Sequence, residues 1–458
     1  MTQDWAPRDL NERPHPATAR TVARRAALRA RFPGKTIVVP TGGLKVRAND
    51  TDFRFRPGSD FFWLTACDDV DAVVVLHPDG QDPDATLYVE ERRDAKTHRF
   101  FTDARYGEVW VGARRGVEEA AHRWGIPTAP RDQLEKDLVA IDPADVVTLR
   151  GYDLGVDVTL VGNEQDGALA TALSDLRLVK DEYEVDRLQE AVDATILGFE
   201  DVVRALPTAI GRTERVVEGV FNLRARYVGN DTGYGTIAAA GAHATILHWM
   251  HNDGPVRDGD LLLLDAGVEG HDLYTADVTR TLPVSGRFSA AQREIYDLVY
   301  AAQEAGIAAV MPGAGFKDPD AAAKRVLAQG LFDLGILAVG PDESLRTELP
   351  LHARYTLHGV SHMLGLDVHD CARARETLYM KGPLEEGYVL TVEPGLYFQP
   401  DDLTVPERYR GIGVRIEDDV VVTADGCRVL SAALPREAAA VEAWMAALLA
   451  APAPNLGL

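Results

Sequence analysis

Cysteine is scarce: the chain carries Cys67, Cys371 and Cys427 and no others in 458 residues. Three thiols, odd in number and far apart, exclude a disulfide framework and a paired-thiol zinc site, and they fit a reducing cytoplasm. Long apolar runs are missing too. No stretch approaches the ~20 residues of a membrane span, and the start of the chain has no apolar segment of the secretory kind, so neither insertion nor secretion is expected. Basic charge is short: 48 Lys and Arg stand against 71 Asp and Glu, a formal charge of -23. Phosphate backbones and anionic lipid are repelled over most of such a surface, which argues against nucleic acid or a membrane as partner. Also absent are the Gly-x-Ser-x-Gly elbow, the His-Glu-x-x-His pair and the Gly-x-x-x-x-Gly-Lys phosphate loop, so the ordinary serine-hydrolase, zincin and nucleotide readings drop.

What is present is enough chain for two domains with a full core in each. The one locally basic stretch, residues 21–31, places Val, Ala and Leu beside arginines at helical spacing and reads as a solvated amphipathic helix. Short β-branched runs follow at Thr36–Pro40, Asp71–Leu76 and Ala85–Val89, bounded by turn residues. Residues 1–175 are therefore expected as a smaller α/β domain. From about Asp181 a long amphipathic helix opens a second domain, 176–458, in which helices (181–205, 212–228, 289–311, 319–334) alternate with strands (261–265, 277–284, 388–393, 414–422). The Ala-rich helix around 436–449 reads as packing.

The chemistry lies in carboxylates attached to strands that otherwise look buried. Leu261-Leu-Leu-Leu-Asp265-Ala-Gly ends an apolar strand on a charge, and burying a charge alone costs several kcal/mol or more by order of magnitude. Such a charge needs a partner. In Asp277-Val-Thr-Arg-Thr-Leu, two-residue periodicity puts Asp277 on one face with Thr279 and Thr281. Tyr388-Val-Leu-Thr-Val-Glu393-Pro-Gly delivers a third carboxylate to a strand end, and in Gly413-Val-Arg-Ile-Glu417 the side chains of Arg415 and Glu417 share a face. His358-Gly-Val-Ser-His362 sets two imidazoles four apart, with His369 seven further on; a helix there would put the first two on one face, although Gly359 weakens a helix. Any one of these motifs is weak, and their weight comes from occurring together in one domain.

Taken together, Asp265 in Leu-Asp-Ala-Gly, Asp277 in Ala-Asp-Val-Thr-Arg-Thr, His362 in His-Gly-Val-Ser-His-Met-Leu-Gly, Glu393 in Thr-Val-Glu-Pro-Gly and Glu417 in Arg-Ile-Glu-Asp resemble the five-ligand site of the pita-bread metallopeptidases, and of aminopeptidase P within them. The strong motifs run from about 175 to 435. Val405-Pro-Glu-Arg-Tyr-Arg-Gly-Ile-Gly-Val-Arg-Ile-Glu resembles aminopeptidase P in particular, and Phe53-Arg-Phe-Arg-Pro-Gly-Ser-Asp-Phe-Phe-Trp-Leu resembles the N-terminal domain of aminopeptidase P and the longer prolidases. The resemblance implies an α+β fold, a C-terminal pita-bread catalytic domain preceded by the smaller α/β domain. It implies two divalent metal ions, with Asp277 and Glu417 bridging, Asp265 on one ion, and His362 and Glu393 on the other. It also implies His248 as a substrate-side imidazole, His358 and His369 beside the proline and the scissile carbonyl, and Glu393 as the proton relay for a metal-bridging hydroxide. Three departures stand out: Asp265 and Asp277 lie twelve apart, one more than in many relatives, Trp249 replaces a common Tyr, and Cys371 a common Val.

Four carboxylates and one imidazole without a thiolate suit hard or borderline ions, manganese first, with cobalt and iron as alternatives. The expected reaction is removal of the residue preceding proline, whose amide nitrogen lacks the hydrogen that general peptidases grip. The nearest rival is an Xaa-Pro dipeptidase, which needs a fixed cation for the free carboxylate; Arg408 and Arg410 are of the right type for such a clamp. A rival of another class is a metal-free pita-bread binding protein, disfavoured because no ligand is missing. The expected partners are peptides beginning Xaa-Pro, and the resemblance implies a homodimer or homotetramer.

Overall fold

The basic segment near the N-terminus folds as helix α1 (Thr18–Arg29), but it is not solvated all round. Arg24 and Arg25 are 7% and 2% exposed. Arg24 donates to the Trp63 carbonyl at 3.2 Å and Arg25 to the Leu64 carbonyl at 2.9 Å, at the C-terminal end of helix α2 (Ser59–Thr65). Carbonyls of a helix's last turn lack intrahelical partners, and guanidinium groups satisfy them and offset the helix dipole. The expectation of a solvated face fails here because α2 supplies acceptors that no local pattern announces.

The computed structural model describes residues 1–451 apart from Pro7, Asp9, Asn11 and Thr347. It divides into two compact units, Met1–Leu176 and Arg177–Leu458. In the first, strands β1 (Thr36–Pro40), β2 (Val73–Leu76), β3 (Ala85–Val89), β4 (Thr128–Pro130) and β5 (Val146–Thr148) form one sheet in the order β4-β3-β2-β1-β5. β1 and β2 bury every residue, as continuous β-branched runs do when both faces of a sheet are covered.

The second unit opens with helix α3 (Glu182–Ala209), started by a reciprocal capping box: the Asp181 carboxylate accepts from Glu184 N–H and the Glu184 carboxylate from Asp181 N–H, each at 3.0 Å. Helix α4 (Arg215–Val228) packs on it with Phe199 and Phe221 edge to face. Strands β6 (Ile237–Ala240), β7 (Leu261–Ala266) and β8 (Val278–Pro283) form an antiparallel sheet with β7 central, and α5 (Ala290–Ala308) and α6 (Asp318–Asp333) follow. A second sheet contains β9 (Val389–Val392), β12 (Asp418–Thr423) and β13 (Gly426–Val429), and β10 (Gly395–Tyr397) pairs with β11 (Gly413–Arg415). Helix α7 (Ala438–Ala450) closes the described chain. Leu262, Leu264, Val278, Leu282, Val299, Leu390 and Val420 share one apolar core, which stiffens the strands that carry the acids.

One local expectation is corrected, and one alternative that the sequence leaves open is decided. The strand expected over 414–422 is broken in two, because Glu417 N–H leaves the β10 pairing and donates to the Thr279 carbonyl at 3.0 Å. Residues 358–362 are not helical. Backbone groups of 360–364 pair with β9 instead, Glu393 N–H donating to Val360 at 2.8 Å and Thr391 N–H to His362 at 3.0 Å. A segment whose hydrogen bonds go to a neighbouring strand has none left for a helix.

Candidate metal centre

β7 and β8 pair with Asp265 opposite Thr279, so Asp265 and Asp277, just before β8, come off adjacent strands close together. Gly267 makes this approach possible: a Cβ there would lie 1.7 Å from the Ala276 carbonyl oxygen. Glu393 follows the last residue of β9, and Glu417 sits in the break between β11 and β12. Donor atoms of Asp277, His362 and Glu417 all lie within 4.8 Å of one another. His362 Nε2 is 3.3 Å from Asp277 Oδ2 and 3.6 Å from Glu393 Oε1. These five side chains line one cavity of about 460 Å³ together with His248, His358, His369 and Arg415. All nine residues singled out in the sequence are thus brought to one place.

The electrostatics of the group are unfavourable without added positive charge. Burial, then repulsion from Asp277 and Glu393, drives the Glu417 carboxyl well above the usual range. Burial pushes Glu393 up to about 7 against the pull of His362 and Arg415. Asp265 is also raised, by burial opposed by Arg415. Burial works against a charge on His362, but the hydrogen bond it donates to Asp277 and the field of Glu393 outweigh it and lift the ring to about 9. Asp265, Glu393 and Glu417 are all held above the ordinary carboxylate range by burial and mutual crowding, the electrostatics of a site built around positive charge. Divalent ions fit it. The His362 Nδ1–H donates to the Met363 carbonyl at 3.2 Å, which turns Nε2 toward Asp277 and Glu393.

Tyr234, Thr279, Asp419 and Arg415 orient the acids. The Tyr234 hydroxyl donates to Asp265 Oδ1 at 2.6 Å and also meets Asp277 Oδ1. Thr279 donates to Glu417 Oε2 at 2.6 Å, and Asp419 accepts the Asp277 N–H at 3.0 Å. Arg415, 3% exposed, spreads over Asp265 at 2.5 Å, Tyr397 at 3.0 Å and Thr279 at 3.2 Å. Thr279 was legible as a member of the Asp277 face, whereas no sequence pattern marked Tyr234 or Tyr397.

The histidines divide by environment. His358 accepts from Tyr397 Oη at Nε2, 2.8 Å, and donates from Nδ1 to the Gly359 carbonyl, 2.8 Å. Burial, then Arg415, lowers its pKa to about 4, so the ring is neutral near pH 7. His369 meets His362 edge to face at 4.3 Å, and burial and His362 lower its pKa too. Arg408 stacks on Tyr409 and Arg410 donates to the Val405 carbonyl, and neither lines the cavity. Among the described lining residues Arg415 is the one arginine or lysine, and it is already engaged.

Residues 186–424 match metallopeptidase family M24, and residues 21–146 match the aminopeptidase P N-terminal domain. The chain is 55% identical to Xaa-Pro aminopeptidase 1 of Streptomyces coelicolor, over 98% of this chain and 91% of that protein. Among solved structures it resembles aminopeptidase P of Escherichia coli (TM-score 0.84, 31% identity, covering 95% of this chain and 100% of that one). It also resembles the Pseudomonas aeruginosa aminopeptidase (TM-score 0.83, 33% identity, covering 95% and 99%).

Proposed function

The chain belongs to metallopeptidase family M24 and carries the aminopeptidase P N-terminal domain, and from that premise we propose how its residues divide the work of hydrolysing an Xaa-Pro bond. The activity itself is metal-dependent release of the N-terminal residue from peptides with proline second. Its fold is the two-domain one, an α/β domain followed by the pita-bread catalytic domain.

Asp277 and Glu417 would hold both divalent ions, Asp265 one of them, and His362 and Glu393 the other. The donor set, all oxygen apart from one imidazole, favours manganese, with cobalt or iron as substitutes. When bound, such ions lower the pKa of a water and polarise the scissile carbonyl. Glu393 Oε takes the proton lost by the attacking water and passes it to the proline nitrogen as the bond breaks. His369 and His248 donate toward the oxygen that gains charge and toward the substrate backbone. His358, both of whose ring nitrogens are engaged, offers the proline side a fixed ring face rather than a proton. Arg415 acts by holding Asp265 and supplying one buried positive charge.

The observation that carries the reading is the convergence of Asp265, Asp277, His362, Glu393 and Glu417 in a cavity whose lining, among the described residues, offers no uncommitted arginine or lysine. A dipeptidase gains from a fixed cation for the free carboxylate, and an aminopeptidase leaves that side open. The test is turnover of an Xaa-Pro-Xaa tripeptide against the matching Xaa-Pro dipeptide on manganese-loaded enzyme. Faster tripeptide cleavage supports the reading, and exclusive dipeptide cleavage contradicts it.

Among the described residues no helix is long and apolar enough to cross a membrane. From the net charge of -23 and the scarcity of cysteine we place the enzyme in the cytoplasm, without nucleic-acid or membrane partners, and from the family resemblance we infer a homodimer or homotetramer.

A further inference from the structure

Glu214 stands at the start of α4 and is completely buried. Its carboxylate accepts two hydrogen bonds at each oxygen: Ala240 N–H at 2.7 Å and His243 Nδ1–H at 2.9 Å on Oε1, Trp249 Nε1–H at 2.7 Å and Gly254 N–H at 2.8 Å on Oε2. All four donors belong to the segment 240–254, which runs from the end of β6 back to α4. The backbone closes the same knot, with Glu214 N–H donating to the Gly254 carbonyl at 2.9 Å.

The rest of the segment is equally constrained. Trp249 stacks on His243 with ring centroids 3.9 Å apart and planes at 25°. Gly254 leaves room for that stack, since a Cβ there would lie 2.2 Å from His243 Cε1. Asn252, also fully buried, accepts from Ala238 N–H at 3.0 Å and donates to the Thr236 carbonyl at 2.9 Å, tying the segment to the edge of β6. Between these anchors the chain presents Leu247, His248 and Met250 to the cavity that collects the five ligands. A carboxylate buried away from solvent is stabilised only by such a full set of donors, and removing any donor leaves it short. The arrangement therefore fixes one conformation of a surface segment that would otherwise move.

We propose that Glu214, acting through Trp249, is the positioning residue for the His248 imidazole, holding it at the height of the scissile carbonyl. The proposal rests on the reading of His248 as the imidazole that reaches the substrate. Neither Glu214 nor Trp249 need touch the substrate or the ions; their effect is on where His248 stands. The Trp at 249 supplies the indole N–H at the reach this carboxylate requires, which gives one of the departures from the family pattern a physical purpose.

A double-mutant cycle on the full chain tests it, with manganese-loaded wild type, Trp249→Phe, His248→Ala and the double variant assayed on an Xaa-Pro-Xaa tripeptide. Trp249→Phe keeps the ring stack and loses only the donated hydrogen bond. Displacing a catalytic contact by ~1 Å costs up to about 100-fold in rate, so kcat should fall by about 10- to 100-fold. KM, melting temperature and metal content should stay close to wild type. In the His248→Ala background the same substitution should cost less than about 2-fold. Equal losses in both backgrounds, or loss of metal in Trp249→Phe, overturn the proposal. If His248→Ala alone keeps full turnover, the reading of His248 fails and the positioning role with it, an outcome visible in that single variant. Glu214→Gln, which puts an amide N–H against donors, should show the same kcat loss and the same disappearance of it without His248.

Discussion

Thr279 donates its hydroxyl proton to Glu417 Oε2 at 2.6 Å from the β8 position that pairs with Asp265 in β7. One buried threonine thus orients one proposed metal ligand, Glu417, and borders another, Asp265, across the strand pair. Thr279→Val keeps the shape and removes the donor. Groups that orient metal ligands are typically worth about 10- to 100-fold in metal affinity, so manganese titration should show a weakening of that order with the fold intact. Unchanged affinity would show that Glu417 needs no orienting partner.

His358 is expected to matter for substrate and not for metal. Its nitrogens are taken by Tyr397 and the Gly359 carbonyl. His358→Ala should retain the wild-type metal content, while kcat/KM falls by about 10-fold or more. Loss of an ion from this variant would make His358 a ligand.

The metal-free protein should become less stable as pH rises from about 6.5 to 9. His362 titrates at about 9 in the folded chain, against about 6.5 unfolded. A raised folded pKa means stability that is fully present below the unfolded value and is lost as pH climbs through the folded one. Glu393, raised to about 7, acts in the same direction over the lower part of that window. Melting temperatures of chelated protein at pH 6.5 and 9 should therefore fall, more steeply in wild type than in His362→Ala. A flat or rising profile in wild type contradicts the assignment.

In the N-terminal unit Arg25 joins α1 to the end of α2 by its bond to the Leu64 carbonyl, and burial lowers its pKa to about 10. Arg25→Ala removes both the bond and the packing of the stem. It should destabilise the protein by about 1–3 kcal/mol, read by denaturant unfolding, with kcat of the folded fraction unchanged. A neutral result would mean the carbonyls are satisfied by solvent.

The clustered acids were legible because a charge at the end of an apolar strand is costly and so calls for a partner. Asp265 and Glu393 announce that cost in a few residues of context, and Asp277 is marked instead by sharing a strand face with Thr279 and Thr281. Glu417 was legible as a residue but not as a break, because the break depends on Thr279, well over a hundred positions earlier in the chain. The His358–His362 segment was ambiguous for the same reason: its four-residue spacing is compatible with a helix, and the presence of β9 as a hydrogen-bonding edge decides otherwise. Tyr234 and Tyr397 carry no local signal at all, since a tyrosine becomes an orienting group only when the fold brings its hydroxyl to an acid. Arg24 and Arg25 looked solvated because the acceptors they serve lie on another helix.

The most direct measurement of the central claim is metal counting with parallel turnover, on chelator-stripped protein, on protein reloaded with manganese, and on reloaded Asp277→Asn and Glu417→Gln. The account predicts no activity without metal, two ions per chain and restored tripeptide cleavage on reloading, and loss of both ions and turnover in the two variants. Full turnover at zero metal, or wild-type metal content and activity in both variants, would contradict it.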